Sequence, residues 1–177
     1  LEAMEEMTGI AYPFNKYDQT MVANFEFGGM ENITATTMAD TEIFYASIDF
    51  MRGNVEDLVA HEIAHSWFGN NTTCKTWADL WLNEGFATFF EAAIREKFYG
   101  REEYLRKVGV DAENYVNHTA TTPVSHALYN RRAGDTSVLF RWPAVTYNKG
   151  GAVVHQLREQ VGDENFWRGV KLFLERH

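Results

Sequence analysis

The sequence has little of what marks several common protein classes. Cys74 is the one cysteine among 177 residues, so no disulfide can form within the chain and a disulfide-stabilised scaffold is excluded. Only three residues are proline, whereas 15% are aromatic, and this composition favours a packed core over disorder. We therefore expect a globular domain with a substantial apolar interior.

Long apolar runs and concentrated positive charge are also missing. No stretch of about 18 apolar residues exists, which excludes a membrane-spanning helix, and no signal-peptide pattern is present. The 16 Lys and Arg residues are scattered and face 25 Asp and Glu, for a formal net charge of −9. Nucleic acid is therefore not an expected partner. We expect a soluble domain, either cytoplasmic or exported, and the sequence does not choose between the two.

The N-terminal part of the chain has the pattern of a small β-sheet. Strand-like stretches cover residues 20–27 and 33–38, and the glycine pair at residues 28–29 between them predicts a turn. Residues 12–50 are therefore the predicted β-rich part.

Helical periodicity dominates the rest of the chain, from about residue 54 to residue 177. Apolar residues recur every three or four positions, and capping residues and glycines divide this part into separate helices. The predicted helices cover about residues 54–69, 76–100, 101–117, 143–162 and a last segment from residue 163. The sequence thus predicts an α+β fold that is predominantly α-helical, in a single domain over residues 1–177.

The most specific signal is an H-E-x-x-H motif at residues 61–65, inside the first of these helices. Residues four apart share one face of a helix, so His61 and His65 can direct both imidazoles at one metal ion. The alternative interpretation is an ordinary acidic helix that faces solvent.

A possible third metal ligand lies on the next predicted helix. Glu84 follows His65 after a separation that allows a loop and an antiparallel return. Two imidazoles and a carboxylate leave the fourth position of a tetrahedral zinc ion open to water, which is typical of a catalytic site. Glu62 can reach this water, so we assign Glu62 as the general base. Glu91, two turns after Glu84, is a candidate hydrogen-bond partner for a ligand imidazole.

Three further motifs occur in order along the chain. They are Gly-Gly-Met-Glu-Asn at residues 28–32, Trp-Leu-Asn-Glu-Gly-Phe-Ala at residues 81–87 and Tyr-Asn-Lys-Gly at residues 147–150. With the H-E-x-x-H helix, these motifs resemble the zinc aminopeptidases of the aminopeptidase N family. The resemblance implies a thermolysin-like zinc peptidase catalytic domain with a short, truncated N-terminal β segment. It also implies one zinc ion per chain, held by His61, His65 and Glu84.

The resemblance gives further residues a role. Glu31 is expected to bind the free α-amine of a peptide substrate, and Tyr147 to donate a hydrogen bond to the oxyanion opposite zinc. The peptide main chain is expected to contact backbone groups of Gly28, Gly29 and Met30. The implied reaction is attack of a zinc-bound water, activated by Glu62, on the N-terminal peptide bond.

Two alternatives remain open beside the aminopeptidase interpretation. A leukotriene epoxide hydrolase of the same superfamily carries the Gly-Gly-Met-Glu-Asn motif, so an epoxide hydrolase with aminopeptidase activity is the first. A catalytically silent, isolated zinc-binding core is the second. Members of the family are multidomain, so the chain is expected to be a fragment whose partners include the remaining domains of the parent enzyme.

Overall fold

The computed structural model describes residues 1–122, 126–135, 137 and 141–177. Its secondary structure, in chain order, consists of α1 (Glu2–Thr8), β1 (Asp18–Val22), β2 (Gly29–Met30), β3 (Ala35–Ala39), α2 (Thr41–Ala46), α3 (Asp49–Ala64), a 3₁₀ turn (Trp77–Asp79), α4 (Trp81–Tyr99), α5 (Arg101–Thr121), a π-helical turn (Val145–Lys149), α6 (Gly150–Val161) and α7 (Asp163–Arg176). The fold is therefore α+β and predominantly α-helical, as predicted. No helix in the described ranges combines the length and the apolar character needed to cross a membrane.

The sheet has three short strands in the order β1-β3-β2. Strand β1 runs parallel to β3, with Asp18 opposite Ala35, and β2 runs antiparallel to β3, with Gly29 opposite Met38. The prediction of a turn at the glycine pair was wrong for Gly29, which forms part of β2. Gly29 belongs to the sheet because β2 pairs with β3, and local turn propensity does not take such pairing between distant segments into account.

The helical part is built around α4. This helix contacts α3, α5 and α6, and its buried face meets aromatic side chains from the rest of the domain. Burial of this apolar surface is the main favourable contribution to the stability of the domain. The largest fully buried aromatic residues are Trp67, Phe89, Phe90 and Tyr104.

Helices α4 and α6 approach each other at a pair of glycines. A Cβ atom on Gly85 would lie 2.8 Å from the carbonyl carbon of Gly150, so only glycine allows the two backbones to come this close. The contact brings the start of α6, and the π-helical turn before it, against the first turns of α4.

Several helix boundaries differ from the prediction. Helix α3 begins at Asp49 and not at about residue 54, and α5 continues to Thr121. Helices α1 and α2 form where no helix was predicted. Met4 and Thr8 of α1 are buried in the structure, so tertiary packing stabilises a segment whose own pattern is weak.

Candidate active site

Helices α3 and α4 bring the three predicted metal ligands together. His61 lies in the last turn of α3, His65 follows one turn later as the C-cap residue of this helix, and Glu84 lies in the first turn of α4. Glu84 Oε2 is 3.2 Å from His61 Nε2 and 3.3 Å from His65 Nε2. One donor atom of each residue lies within 4.8 Å of the other two, and all three residues are buried. This group has the composition and the spacing to hold one metal ion.

In each imidazole, the ring nitrogen that is not beside Glu84, Nδ1, has a hydrogen-bond partner in the protein. His61 Nδ1 is 2.7 Å from Glu91 Oε1, and His65 Nδ1 donates to the backbone carbonyl of Phe68 at 3.0 Å. These contacts leave the Nε2 atoms facing the shared site, which is the arrangement that metal-binding histidines require. The predicted contact of Glu91 with a ligand imidazole is confirmed, whereas the carbonyl of Phe68 left no signal in the sequence.

Glu84 remains ionised at neutral pH despite its burial. Burial alone would raise the pKa of its carboxyl, but the imidazoles of His65 and His61 outweigh that effect and lower the pKa to about 2. A buried carboxylate with two imidazole nitrogens beside it is suited to a cation.

Glu62 is a buried carboxylate with one free oxygen. Only 5% of the residue is exposed, and no atom of the described residues forms a hydrogen bond with Glu62 Oε2. Burial raises the pKa of this carboxyl to about 7, although the nearby His61 and His65 act in the opposite direction. A carboxyl group with this pKa can both accept and release a proton near neutral pH.

The segment at and after β2 forms a wall of the same cavity. Carboxylate oxygens of Glu31 and Glu62 and a ring nitrogen of His65 lie within 4.8 Å of one another. Asn70 Nδ2 donates to the backbone carbonyl of Glu31 at 2.7 Å, which ties this wall to the loop after α3. Within the described residues β2 pairs only with β3, so its other edge is open.

The π-helical turn places Tyr147 over the metal-binding group. The phenol ring of Tyr147 stacks on the imidazole of His61 with centroids 5.7 Å apart and an interplanar angle of 23°. Burial, together with the carboxylates of Glu84, Glu31 and Glu62, raises the pKa of Tyr147 far above its usual value. The side chain therefore stays a neutral hydroxyl that can donate a hydrogen bond.

All the predicted site residues line one cavity of about 1260 Å³. They are Gly28, Gly29, Met30, Glu31, His61, Glu62, His65, Glu84 and Tyr147. The structure brings together residues that are up to 119 positions apart in the sequence, from Gly28 to Tyr147.

A buried cluster of one lysine and two carboxylates, which also lines this cavity, was not predicted. Lys107 Nζ lies 2.7 Å from Glu91 Oε2 and 2.7 Å from Asp111 Oδ2. The four-residue spacing of Lys107 and Asp111 is typical of helical ion pairs and was visible in the sequence. The contact between Lys107 and Glu91 joins α5 to α4, so the spacing of residues within one helix could not predict it.

Comparison with known proteins gives matches along the whole chain. The sequence profile of the Peptidase family M1 domain matches residues 1–177. Aminopeptidase N of Streptomyces lividans is 35% identical over 176 residues, which cover 98% of this chain and 20% of that protein. Endoplasmic reticulum aminopeptidase 1 of Homo sapiens is 33% identical over 190 residues, which cover 100% of this chain and 19% of that protein. The chain thus spans about a fifth of the length of these relatives.

Solved structures with the same fold agree with the sequence matches. The M1 zinc metallopeptidase from Deinococcus radiodurans superposes with a TM-score of 0.70 and 25% identity, over 98% of this chain and 35% of that chain. A mutant of that protein bound to a Tyr-Ser-Ala substrate gives a TM-score of 0.71, over 98% of this chain and 34% of that chain. Since the family profile and the alignments both run the length of the sequence, this chain belongs to peptidase family M1.

Proposed function

We propose that this chain is the catalytic part of a zinc aminopeptidase that hydrolyses the N-terminal peptide bond of peptides with a free N-terminus. The observation that carries the proposal is the position of the Glu31 carboxylate. It lies within 4.8 Å of a ring nitrogen of His65, which also belongs to the metal-binding group. A substrate ammonium held by Glu31 through charge-assisted hydrogen bonds would have its first peptide bond beside the metal.

The metal that we propose is a single zinc ion held by His61, His65 and Glu84. Two imidazole nitrogens and one carboxylate oxygen are a donor set of catalytic zinc sites. When bound, zinc polarises a carbonyl oxygen and lowers the pKa of water. The similar Deinococcus radiodurans structures are described as zinc metallopeptidases, which supports this choice.

Glu62 is proposed as the general base. Its carboxylate takes a proton from the attacking water and passes that proton to the leaving amine nitrogen. A pKa of about 7, raised by burial, suits a group that must do both. General acid–base catalysis of this kind contributes a factor of about 10²–10⁴ to the rate.

Tyr147 and the β2 segment are proposed to bind the substrate peptide. The neutral hydroxyl of Tyr147 donates a hydrogen bond to the carbonyl oxygen as negative charge develops on it. The open edge of β2 offers backbone groups to the main chain of the peptide, as in β-augmentation. The residues proposed to contact this main chain are Gly28, Gly29 and Met30.

We further propose that the domain has a thermolysin-like arrangement and that it acts with other domains of a larger enzyme. The thermolysin-like arrangement is supported by the H-E-x-x-H helix followed by the glutamate-bearing helix α4. The presence of other domains is supported by the length of the relatives, of which the chain covers about a fifth.

The test compares the wild-type protein at its full natural length with a Glu62→Gln variant. Bound zinc is quantified, and both proteins are assayed on a panel of fluorogenic aminoacyl amides and on the N-acetylated forms of the same amides. We expect about one zinc ion per chain in both proteins. Hydrolysis is expected only for unblocked amides and only with the wild-type protein.

The other outcomes separate the alternatives. Hydrolysis of acetylated amides at equal rates would contradict the role of Glu31. Bound zinc without hydrolysis of any amide would favour a silent metal-binding core, or an enzyme for another electrophile such as an epoxide. Absence of zinc from the purified protein after incubation with zinc would contradict the metal site itself.

A further inference from the structure

A continuous chain of polar contacts connects the metal-binding group with the turn that carries Tyr147. It begins at His61, whose Nδ1 contacts Glu91 Oε1 at 2.7 Å. The other oxygen of Glu91 lies 2.7 Å from Lys107 Nζ, and the same ammonium contacts both oxygens of Asp111 at 2.9 and 2.7 Å. Asp111 Oδ1 accepts a hydrogen bond of 3.0 Å from the side-chain amide of Asn148.

Asn148 is the residue after Tyr147 in the π-helical turn, so the chain of contacts ends beside the proposed oxyanion donor. The ring of Tyr147 stacks in turn on the imidazole of His61. The polar chain and the stacked rings therefore form a closed circuit, with Lys107 between the metal-binding side and the tyrosine side.

Lys107 and its two carboxylate partners line the same cavity as the metal-binding group, but little of the lysine is open to a substrate. Lys107 and Asp111 are 7% and 6% exposed, and the ammonium is shared between two carboxylates. Burial alone would lower the pKa of Lys107, but Glu91 and Asp111 outweigh it and raise the pKa, so the side chain is charged. A cation in this position holds together two carboxylates that would otherwise repel each other.

We propose that Lys107 is a positioning residue for the hydrolytic reaction, which through Glu91 orients His61 and through Asp111 and Asn148 orients Tyr147. The inference rests on the proposed function, because it concerns a ligand of the proposed zinc ion and the proposed hydroxyl donor to the oxyanion. One ammonium on α5 thus sets the positions of a metal ligand on α3 and of a hydroxyl donor on the π-helical turn.

The test uses the full-length protein with four variants, Lys107→Met, the double variant Lys107→Met with Asp111→Asn, Asn148→Ala and the reference Lys97→Met. Lys97 forms an exposed ion pair with Glu6 and takes no part in the circuit. The double variant removes one positive and one negative charge, so it retains the net charge of the buried cluster. It keeps the proposal testable if the single Lys107 variant does not fold.

Zinc affinity is measured by competition with a chelator, and the absorption spectrum of the cobalt-substituted protein reports the ligand geometry. We expect both Lys107 variants to bind zinc about 10–100-fold more weakly and to have a changed cobalt spectrum. Asn148→Ala and Lys97→Met are expected to match the wild type in both measurements. Wild-type zinc affinity in the double variant would overturn the proposal for His61.

Steady-state kinetics test the tyrosine side of the circuit. Asn148→Ala is expected to lower kcat about tenfold at unchanged KM, because the hydroxyl donor acts on the transition state. In a Tyr147→Phe background the same change is expected to have no further effect on kcat. An equal loss of kcat in both backgrounds would overturn the proposal for Tyr147.

The kinetic and metal-binding results distinguish this proposal from the proposed function. A wild-type protein that binds zinc but cleaves no aminoacyl amide would contradict the proposed function alone. The zinc affinity and cobalt spectrum of the double variant would then still decide whether Lys107 positions His61.

Discussion

The backbone of Gly29 lies directly against the carboxylate of Glu62. A Cβ atom at position 29 would lie 2.8 Å from Glu62 Cγ and closer still to Oε1. Strand β2 and the proposed general base are therefore in direct contact, and only the hydrogen atom of a glycine fits between them.

Gly29→Ala is expected to displace the Glu62 carboxylate from its position beside the metal-binding group. We expect kcat/KM to fall by a factor of about 100 or more, within the range that general-base catalysis contributes, while bound zinc is unchanged. Steady-state assays on aminoacyl amides and metal analysis check this. Gly134→Ala is the matched control, because Gly134 lines the same cavity and an added Cβ there meets no atom within 4 Å. Similar kinetics for the two variants would contradict the prediction.

Glu31→Gln is expected to weaken the binding of substrates with a free amine. The loss of a charged hydrogen-bond acceptor typically costs about 1.5–3 kcal/mol, so we expect KM to rise about 10–100-fold with a smaller change in kcat. KM is measured for unblocked aminoacyl amides. Glu26→Gln serves as the control, since Glu26 is an exposed carboxylate in the same segment that does not line the cavity. An unchanged KM for Glu31→Gln would show that the amine binds elsewhere.

Gly85→Ala is expected to destabilise the fold by forcing α4 and α6 apart. The new methyl group would meet the backbone of Gly150, which cannot rotate away as a side chain can. Overpacking of this kind costs about 1–3 kcal/mol, to be measured by urea unfolding. Gly109→Ala should instead stabilise the protein by up to about 1 kcal/mol, because Gly109 lies in the interior of α5 with open space around it. Equal unfolding free energies for Gly85→Ala and the wild type would contradict the close approach.

His155 is expected to make the folded state less stable in mild acid. Burial lowers the pKa of this imidazole below its ordinary value of 6.5 against the opposing effect of Glu159, and Arg101 and Arg158 lower it slightly further. Tyr104 Oη lies 2.7 Å from Nδ1. A group whose pKa is lower in the folded state supplies stability above its unfolded pKa, and this stability is lost as the pH falls below about 6.5.

The measurement for His155 compares thermal unfolding of the wild type with that of His155→Asn between about pH 7.5 and about pH 5, a range that brackets the ordinary histidine pKa of about 6.5. Asparagine keeps a hydrogen-bonding group for Tyr104 and does not titrate. We expect the wild type to lose stability relative to the variant as the pH falls. A constant difference between the two proteins over this range would exclude His155 as the titrating group.

The candidate site could be predicted from the sequence to the extent that it depends on local spacing. His61 and His65 share a helical face by their spacing, and Glu91 lies two turns beyond Glu84, so the contact with His61 could be anticipated. The role of the Phe68 carbonyl could not be predicted, because every residue has a carbonyl and only the folded backbone selects one.

The parts of the fold that the sequence did not predict depend on contacts between distant segments. Gly29 joins a strand because β3 pairs with it, and α1 forms because its apolar residues find a buried site. The position of Lys107 between Glu91 and Asp111 requires that α4 and α5 pack side by side. The spacing of residues within one helix does not show which other helix that helix packs against.

The π-helical turn at Val145–Lys149 has a consequence for a deletion in this segment of the chain. Each residue of an α-helix advances the direction of a side chain by about 100°. Deletion of a single residue between Tyr147 and Gly150 could restore a regular helix and leave the glycine contact with α4 intact. It would also rotate the phenol away from His61, so a shortened chain could keep the fold and lose the hydroxyl from the cavity.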